Sequence, residues 1–340
     1  MIFRVPSYYN TFRCTADKCT DNCCIGWEIE IDSYTADYYK SVEGKFGDRL
    51  CESISEDNTF ILKGERCPFL NKENLCDIII NCGEERICQI CRDHPRFFEW
   101  YDNIKEGGIG LSCEEGARLI LDVDKVGYDE CVVDEEPEEV DDELFSLLYS
   151  AREEILAMTD CEDKSFAGKV RNILMYTRKL QFHLDNPHLT EKDFHSDAIS
   201  SSTNALKEMI GLFGEFEPID ESWCAEYEKL CTINTENVEN QAACEKYAVN
   251  IFRYFIWRYF LKGVFDGEIL SKVKFAAVSA IIIKLMTDGS QEIGVWVEKS
   301  KLYSKQMEYS DENRELFYDM SYENECFAAN CITEVCDKMF

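Results

Sequence analysis

Eleven cysteines crowd the first third of the sequence: Cys14, Cys19, Cys23, Cys24, Cys51, Cys67, Cys76, Cys82, Cys88, Cys91 and Cys113. The other eight of the nineteen are spread over twice that length. The densest segment reads Cys14-x4-Cys19-x3-Cys23-Cys24, Cys67 and Cys76 lie nine residues apart, and Cys88-x2-Cys91 runs into Arg92. In a reducing compartment such a set is not a disulfide framework, because cellular thiols keep the pairs open. Thiolates concentrated this way hold a soft metal ion or an iron–sulfur cluster. Two named arrangements nearly fit and fail. The C-x3-C-x2-C signature of radical enzymes needs a cysteine where Gly26 stands, and a zinc ribbon needs two C-x2-C knuckles where only Cys88 and Cys91 have that spacing. Spacing alone therefore gives a cysteine-ligated centre and leaves zinc and iron–sulfur both open.

Adjacent side chains point in different directions in any regular backbone, so Cys23 and Cys24 are expected to serve different tasks or to divide ligation and packing between them. Arg66, Arg92 and Arg96 stand where they can favour thiolates and donate hydrogen bonds to cluster sulfurs. Cys51 and Cys82 are weaker ligand candidates. Cys326, Cys331 and Cys336 are spaced five apart, which on a helix turns them to three faces and denies them a common metal. Cys131, Cys161, Cys224, Cys231 and Cys244 are scattered and read as small core residues.

The elements that must position these sulfurs fall into three regions. Residues 1–125 are cysteine-rich and turn-rich, with a short exposed strand expected at Trp27–Asp32 and short helices at Phe46–Ile54 and Gly116–Leu121. Residues 126–143 form an acidic linker or helix start around Asp134–Glu143, a self-repelling run broken by Pro137. Residues 144–340 carry apolar side chains at helical spacing. Within them Tyr247–Phe265 is aromatic on most sides and is expected to be buried, with Arg253, Arg258 and Lys262 reaching outward along their stems. The fold expected is mainly α: a small cysteine-rich α+β N-terminal module holding a cluster, packed on a C-terminal helical bundle domain of roughly seven or eight helices.

Composition removes several functions. A formal charge of −31 and a pI near 4.5 leave no basic face for a phosphate backbone, so nucleic acid is excluded, and anionic membranes are disfavoured. Acidity does favour a basic, lysine-bearing partner. Met1–Asn10 lacks the apolar stretch of a secretory signal, and the longest apolar run, within Phe275–Met286, is too short to span a bilayer. A cytoplasmic location in a bacterium is expected.

The ordered set Phe12-x-Cys14, Cys19, Cys23-Cys24-x-Gly26-Trp27, Cys67-x-Phe69-Leu70, Leu75-Cys76-x-Ile78, Cys91-Arg92, Pro95-Arg96 and Leu111-Ser112-Cys113 resembles the flagellin lysine N-methylases. The first cysteines and the Cys-Arg-x-x-Pro element also resemble the small bacterial zinc- or iron-chelating domains. The resemblance is specific over residues 1–120 and diffuse beyond. It implies transfer of methyl groups from S-adenosylmethionine to lysine ε-amino groups of flagellin or another lysine-bearing surface protein, with a 4Fe–4S cluster, or zinc in its place. Carried over by position, its cysteines are Cys14, Cys19, Cys23, Cys24, Cys67, Cys76, Cys91 and Cys113, with Cys51, Cys82 and Cys88 outside the pattern. Eight candidates exceed the four thiolates of one cluster. Trp27 and Glu28 are then expected to line the methyl-transfer pocket, an aromatic face for the sulfonium and a carboxylate for the incoming ammonium. Arg92 and Arg96 are expected at the cofactor. No conventional nucleotide loop accompanies them: Gly107-Gly108-Ile109-Gly110 is the nearest candidate, in a poor context. The alternative reading is non-enzymatic, a zinc- or iron-binding module with a helical protein-docking domain.

Overall fold

The computed structural model describes residues 1–162, 164–194, 204–235 and 245–340; Cys244 lies outside them. Its four strands, β1 (Ile2–Pro6), β2 (Arg96–Tyr101), β3 (Ile104–Ile109) and β4 (Tyr128–Val132), make one sheet in the order β2-β3-β1-β4. β2 and β3 form a hairpin through Asp102 and Asn103, with Asp102 in the left-handed region, as a two-residue turn requires. β1 pairs parallel with β3 and antiparallel with β4. Residues 126–143 are thus more than a linker, since they supply an edge strand. Their acidic end starts a helix as the charge pattern suggests: Asp141 accepts from the Leu144 amide at 2.9 Å, and Asp142 and Glu143 sit in the first turn, where the helix dipole favours them.

Five short helices belong to the N-terminal region: α1 (Ser33–Ser41), α2 (Gly44–Glu52), α3 (Asp77–Cys82), α4 (Gln89–Asp93) and α5 (Glu114–Asp122). Among the described residues ten more follow: α6 (Asp142–Thr159), α7 (Phe166–Asp185), α8 (Ala205–Leu212), α9 (Glu221–Thr232), α10 (Glu245–Tyr259), α11 (Gly263–Asp266), α12 (Leu270–Met286), α13 (Ile293–Glu308), α14 (Asp311–Glu323) and α15 (Ala329–Met339). The chain is mainly α, with a small sheet and a helical C-terminal region. The helices of the second part exceed the seven or eight expected because the long apolar runs are broken into short segments such as α8 and α11.

Trp27–Asp32 is not a strand. Its alternation is real, since Ile29 and Ile31 are buried and Glu28 and Glu30 exposed, but it meets only a single bridge, Glu30 to Thr59. The glycines of Gly107-Gly108 lie within β3, where a Cβ would fall 2.9 Å from the Phe3 ring and 2.3 Å from the Phe97 ring. They admit aromatic rings, not phosphates.

Two separate cores result. The larger joins Tyr101 and Ile109 of the sheet, Leu111 of the turn after β3, and Ile120 and Leu121 of α5 to the helical region, with α12 at its centre, buried from Ser271 to Met286. No helix among the described residues is long and apolar enough to cross a membrane. The basic side chains of α10 do not all reach outward. Arg253 is buried and bonds Thr159 at 3.0 Å and Asp160, and Arg258 meets buried Glu308 at 3.1 Å. A guanidinium inside a core is stabilised by a carboxylate partner, and both find one. Cys326, Cys331 and Cys336 are core residues here. The smaller core holds eleven buried residues, from Ile29 to Cys88, and is walled by Cys24, Trp27, Cys76, Cys82 and Cys91.

Candidate metal centre

The smaller core is built round sulfur. Cys67 and Cys76 flank a tight turn: Asn71 and Leu75 close it backbone to backbone at 2.9 Å, and Leu70 bridges to Cys76. The Asn71 side chain accepts the Glu73 and Leu75 amides at 3.0 and 2.9 Å, which is why an Asn stands there. Arg66 fastens the same turn through the Asn71 carbonyl at 2.6 Å. Cys24 joins from another strand of chain, its carbonyl accepting the Cys67 amide at 2.9 Å. Cys88 and Cys91 complete the group with their sulfurs 3.4 Å apart.

The electrostatics report the same gathering. Cys24 senses the charges of Cys23, Cys67 and Cys76; Cys67 senses Cys76 and Cys88; Cys91 senses Cys88, Cys24 and Cys67. Burial pushes Cys67 up to about 11 and raises Cys76, while the amides of Phe69 and Leu70, and of Ile79 and Ile78, act against that rise. Cys76, Cys88 and Cys113 each occupy the position just before a helix, α3, α4 and α5. First-turn amides there favour a thiolate.

A second group lies where the N-terminal region meets the bundle. Cys113 packs against the larger core and senses Cys19 and Cys23; burial pushes it up to about 12. Cys23 is hydrogen-bonded by the Cys24 thiol first and by the His94 imidazole next, and together these draw it down to about 5 against the effect of burial. Cys19 donates to the Asp21 carbonyl at 3.1 Å and stands 4.0 Å from the Glu114 carboxylate. Asp21 is held by Lys305 at 2.5 Å and Lys301 at 3.3 Å, both on α13. The turn leading to Cys113 is held by Tyr254, whose hydroxyl accepts the Leu111 amide at 3.3 Å and donates to Glu308 at 2.9 Å.

Of the predicted ligands, Cys24, Cys67, Cys76 and Cys91 therefore share the small core, Cys19 and Cys113 lie at the seam, and Cys23, hydrogen-bonded to Cys24, stands between the two. Cys14 is exposed, its sulfur accepting from the Ala16 amide at 3.4 Å. Cys88, outside the resemblance pattern, sits at the centre of the small core. Trp27 donates its indole N–H to the Cys23 carbonyl and lies 5.9 Å from the His94 ring, while Glu28 is exposed. Arg92 donates to the Ile87 carbonyl at 3.1 Å, and Arg96 to the Arg92 carbonyl at 3.0 Å, its guanidinium over Tyr9 and Phe12 at 5.5 and 5.1 Å. Both brace loops. His94 carried no assignment from sequence, because a lone histidine after a short helix gives no periodic or motif signal.

Among the described residues no three His, Cys, Asp or Glu side chains form a ready cage for one metal ion. Round a single ion, with bonds to sulfur of ~2.3 Å, the thiolates would crowd together. A 4Fe–4S cluster binds each thiolate to a different iron and sets them farther apart. The small-core group is five thiols with backbone amides acting on them, a donor set whose chemistry suits a soft metal ion or a cluster.

Comparison with known proteins gives two kinds of relative. The chain is 28% identical over 140 residues to the flagellar biosynthetic protein FliU of Salmonella muenchen, a match covering 37% of this chain and 80% of that protein. It is 27% identical over 140 residues to a lysine-N-methylase of Salmonella typhimurium, covering 37% of this chain and 34% of that protein, and equally to one of Salmonella choleraesuis. The match thus spans about a third of the length of the two methylases. No family profile and no solved structure matches the chain.

Proposed function

We propose, from the premise that the chain is a relative of the flagellin lysine N-methylases, that it moves the methyl group of S-adenosylmethionine to lysine ε-amino groups of flagellin or another lysine-bearing surface protein. Relatives named lysine-N-methylase support the methyltransferase. The observation that carries it is the convergence of Cys24, Cys67, Cys76, Cys88 and Cys91 on one small core.

A cluster held there would brace the small core and would supply Lewis-acidic iron. Cys24, Cys67, Cys76 and Cys91, with Cys88 beside them, would hold it. The rest of the work falls to side chains. Free lysine has a pKa of ~10.4, so the amine must shed its proton before attacking a sulfonium methyl. The positive sulfonium and a desolvated site both lower that pKa. The Trp27 ring offers a face to the sulfonium, and exposed Glu28 beside it draws in the ammonium. The net charge of −31 raises the local concentration of a lysine-rich segment.

The test is anaerobic purification of the full chain, with iron and sulfide quantified, absorbance read near ~400 nm, and labelled methyl transfer from S-adenosylmethionine to flagellin followed by mass spectrometry. A brown protein that makes methyl-lysine supports the reading. A colourless protein with no affinity for S-adenosylmethionine overturns it in favour of a metal-binding docking module.

A further inference from the structure

The outer edge of the sheet is open. β4 pairs with β1, and the register fixes which of its backbone groups that pairing uses. Val133 and Met1 exchange bonds at 3.0 and 3.2 Å, and the Ser7 amide donates to the Gly127 carbonyl at 2.8 Å. Bonded and non-bonded residues alternate along an antiparallel pair. Cys131 and Asp129 therefore turn their amides and carbonyls inward, to Phe3 and Val5, while Tyr128, Glu130 and Val132 turn theirs outward. Pro6, which has no N–H, stands opposite Tyr128, where none is needed. Among the described residues no other strand pairs with this edge. Asp129, Glu130, Cys131 and Val132 are exposed, Val132 at 85%.

We infer that the outer edge of β4 is a docking strand, which takes up an extended, lysine-bearing segment of a partner protein as a further strand of the sheet. The outward N–H and C=O groups supply the main-chain bonds of such an addition. Charge selects the occupant. Nearby cations are already engaged: Arg4 holds Glu130 at 3.3 Å and Glu153 at 2.8 Å, and Lys105 holds Glu135 at 2.6 Å. Asp129 on the edge, and Asp134 and Glu136 just past it, are exposed and have no ion-pair partner among the described residues. Free edges are commonly guarded by lysine or proline. This one carries carboxylates, so a second copy of β4 would set like charges against each other across the strands. A lysine-bearing strand meets it with opposite charge. Val132, opposite Ile2 at 41% exposure, adds apolar surface for lysine stems.

The place of the edge suits a substrate. β1 runs on from the sheet into the loop that carries Cys14 to Cys24, and Asn10 in that loop donates to Asp129 at 3.4 Å. A segment laid on β4 is held beside the root of the cysteine-rich loop. The inference deepens the proposed function, because it rests on that reading for the partner being the protein that is methylated; the docking itself is measured without methyl transfer.

The test uses the full chain and a synthetic peptide alternating lysine with threonine, with a glutamate-for-lysine peptide as control. Binding is titrated by fluorescence anisotropy, and amide exchange is read residue by residue by NMR. The lysine peptide is expected to bind, less tightly as salt rises. It should protect the amides of Tyr128, Glu130 and Val132 and leave those of Asp129 and Cys131 little changed. Val132→Pro removes one outward donor while the bonds to β1 stay in place, and should weaken the peptide about tenfold. Asp129→Asn combined with Glu136→Gln should weaken it at low salt and lessen its salt dependence. Circular dichroism checks that each variant folds. Equal binding of the two peptides, protection elsewhere or nowhere, or outward amides already protected before peptide is added overturns the inference. So does full affinity in either folded variant. Methyl transfer from S-adenosylmethionine is scored separately. Docking at β4 without methyl-lysine overturns the methylase reading alone, and methyl-lysine without protection at β4 overturns the docking alone.

Discussion

The bundle and the cysteine-rich core solve the same problem by different means. The bundle is held by apolar burial. Trp223, Trp296, Phe252 and Phe255 are fully buried around α12, and its internal charges come in pairs such as Arg152 with Glu106 at 2.5 Å. The cysteine-rich core has eleven buried residues, two of them Cys67 and Cys88. A core of that size supplies only about 3–5 kcal/mol and is commonly stapled by metal or disulfide. All the cysteines noted there are free thiols. The lesson is that one part owes its order to side-chain volume, whereas the other, on the proposed reading, would owe it to what its sulfurs grip.

That contrast can be broken. The strongest test strips metal from the full chain and reads hydrogen exchange by segment. Amides of residues 24–93 should lose protection by orders of magnitude while those of α10, α12 and α13 keep theirs. Equal loss in both parts would abolish the distinction. Phe275→Ala should reverse the pattern. Phe275 is buried against Phe255, Tyr259 and Phe317, and its removal should cost about 3–5 kcal/mol of bundle stability with metal content unchanged. Arg152→Met strands the buried Glu106 carboxylate and should cost a comparable ~3–5 kcal/mol by denaturant titration. Adding Glu106→Gln should recover part of it.

Two smaller effects sharpen the comparison. Burial holds Lys284 down to about 8, from an ordinary 10.5. Between those values the unfolded chain binds the additional proton, so stability should rise with pH from about 8 toward 10. Lys284→Met should flatten that rise in urea titrations; an unchanged slope would assign it to other groups. Last, Asp141→Ala removes the cap of α6 and should cost about 1 kcal/mol, seen as a small shift in thermal midpoint with metal content unchanged.

Much of this was legible in the residues and some was not. Phe46–Ile54 and Gly116–Leu121 read as helices and coincide with most of α2 and α5, because 3.6-residue periodicity is a local property. Burial of α12 was legible from the apolar run within Phe275–Met286, despite Lys284 inside it. The sheet was not. β1 reaches across about a hundred residues to pair with β3, and no local pattern announces a partner that distant. Trp27–Asp32 shows the converse, an alternation that satisfies two buried isoleucines without a ladder. For the site, clustering of cysteines told that sulfurs matter, but not how they divide. That depended on which core each sulfur faces, which no local pattern states.

The order of strands in the sheet sets how the cysteine-rich segment can move. The chain leaves the sheet after β1 and returns at β2, so residues 7–95 form a loop anchored at both ends on neighbouring parts of one scaffold. A unit appended by one linker can swing freely; one spliced in by both ends can only tilt within a short arc. The cysteine-rich loop is therefore confined to small rocking displacements, and on the proposed reading a protein substrate would have to bring its lysine to the loop, which cannot travel out to fetch it.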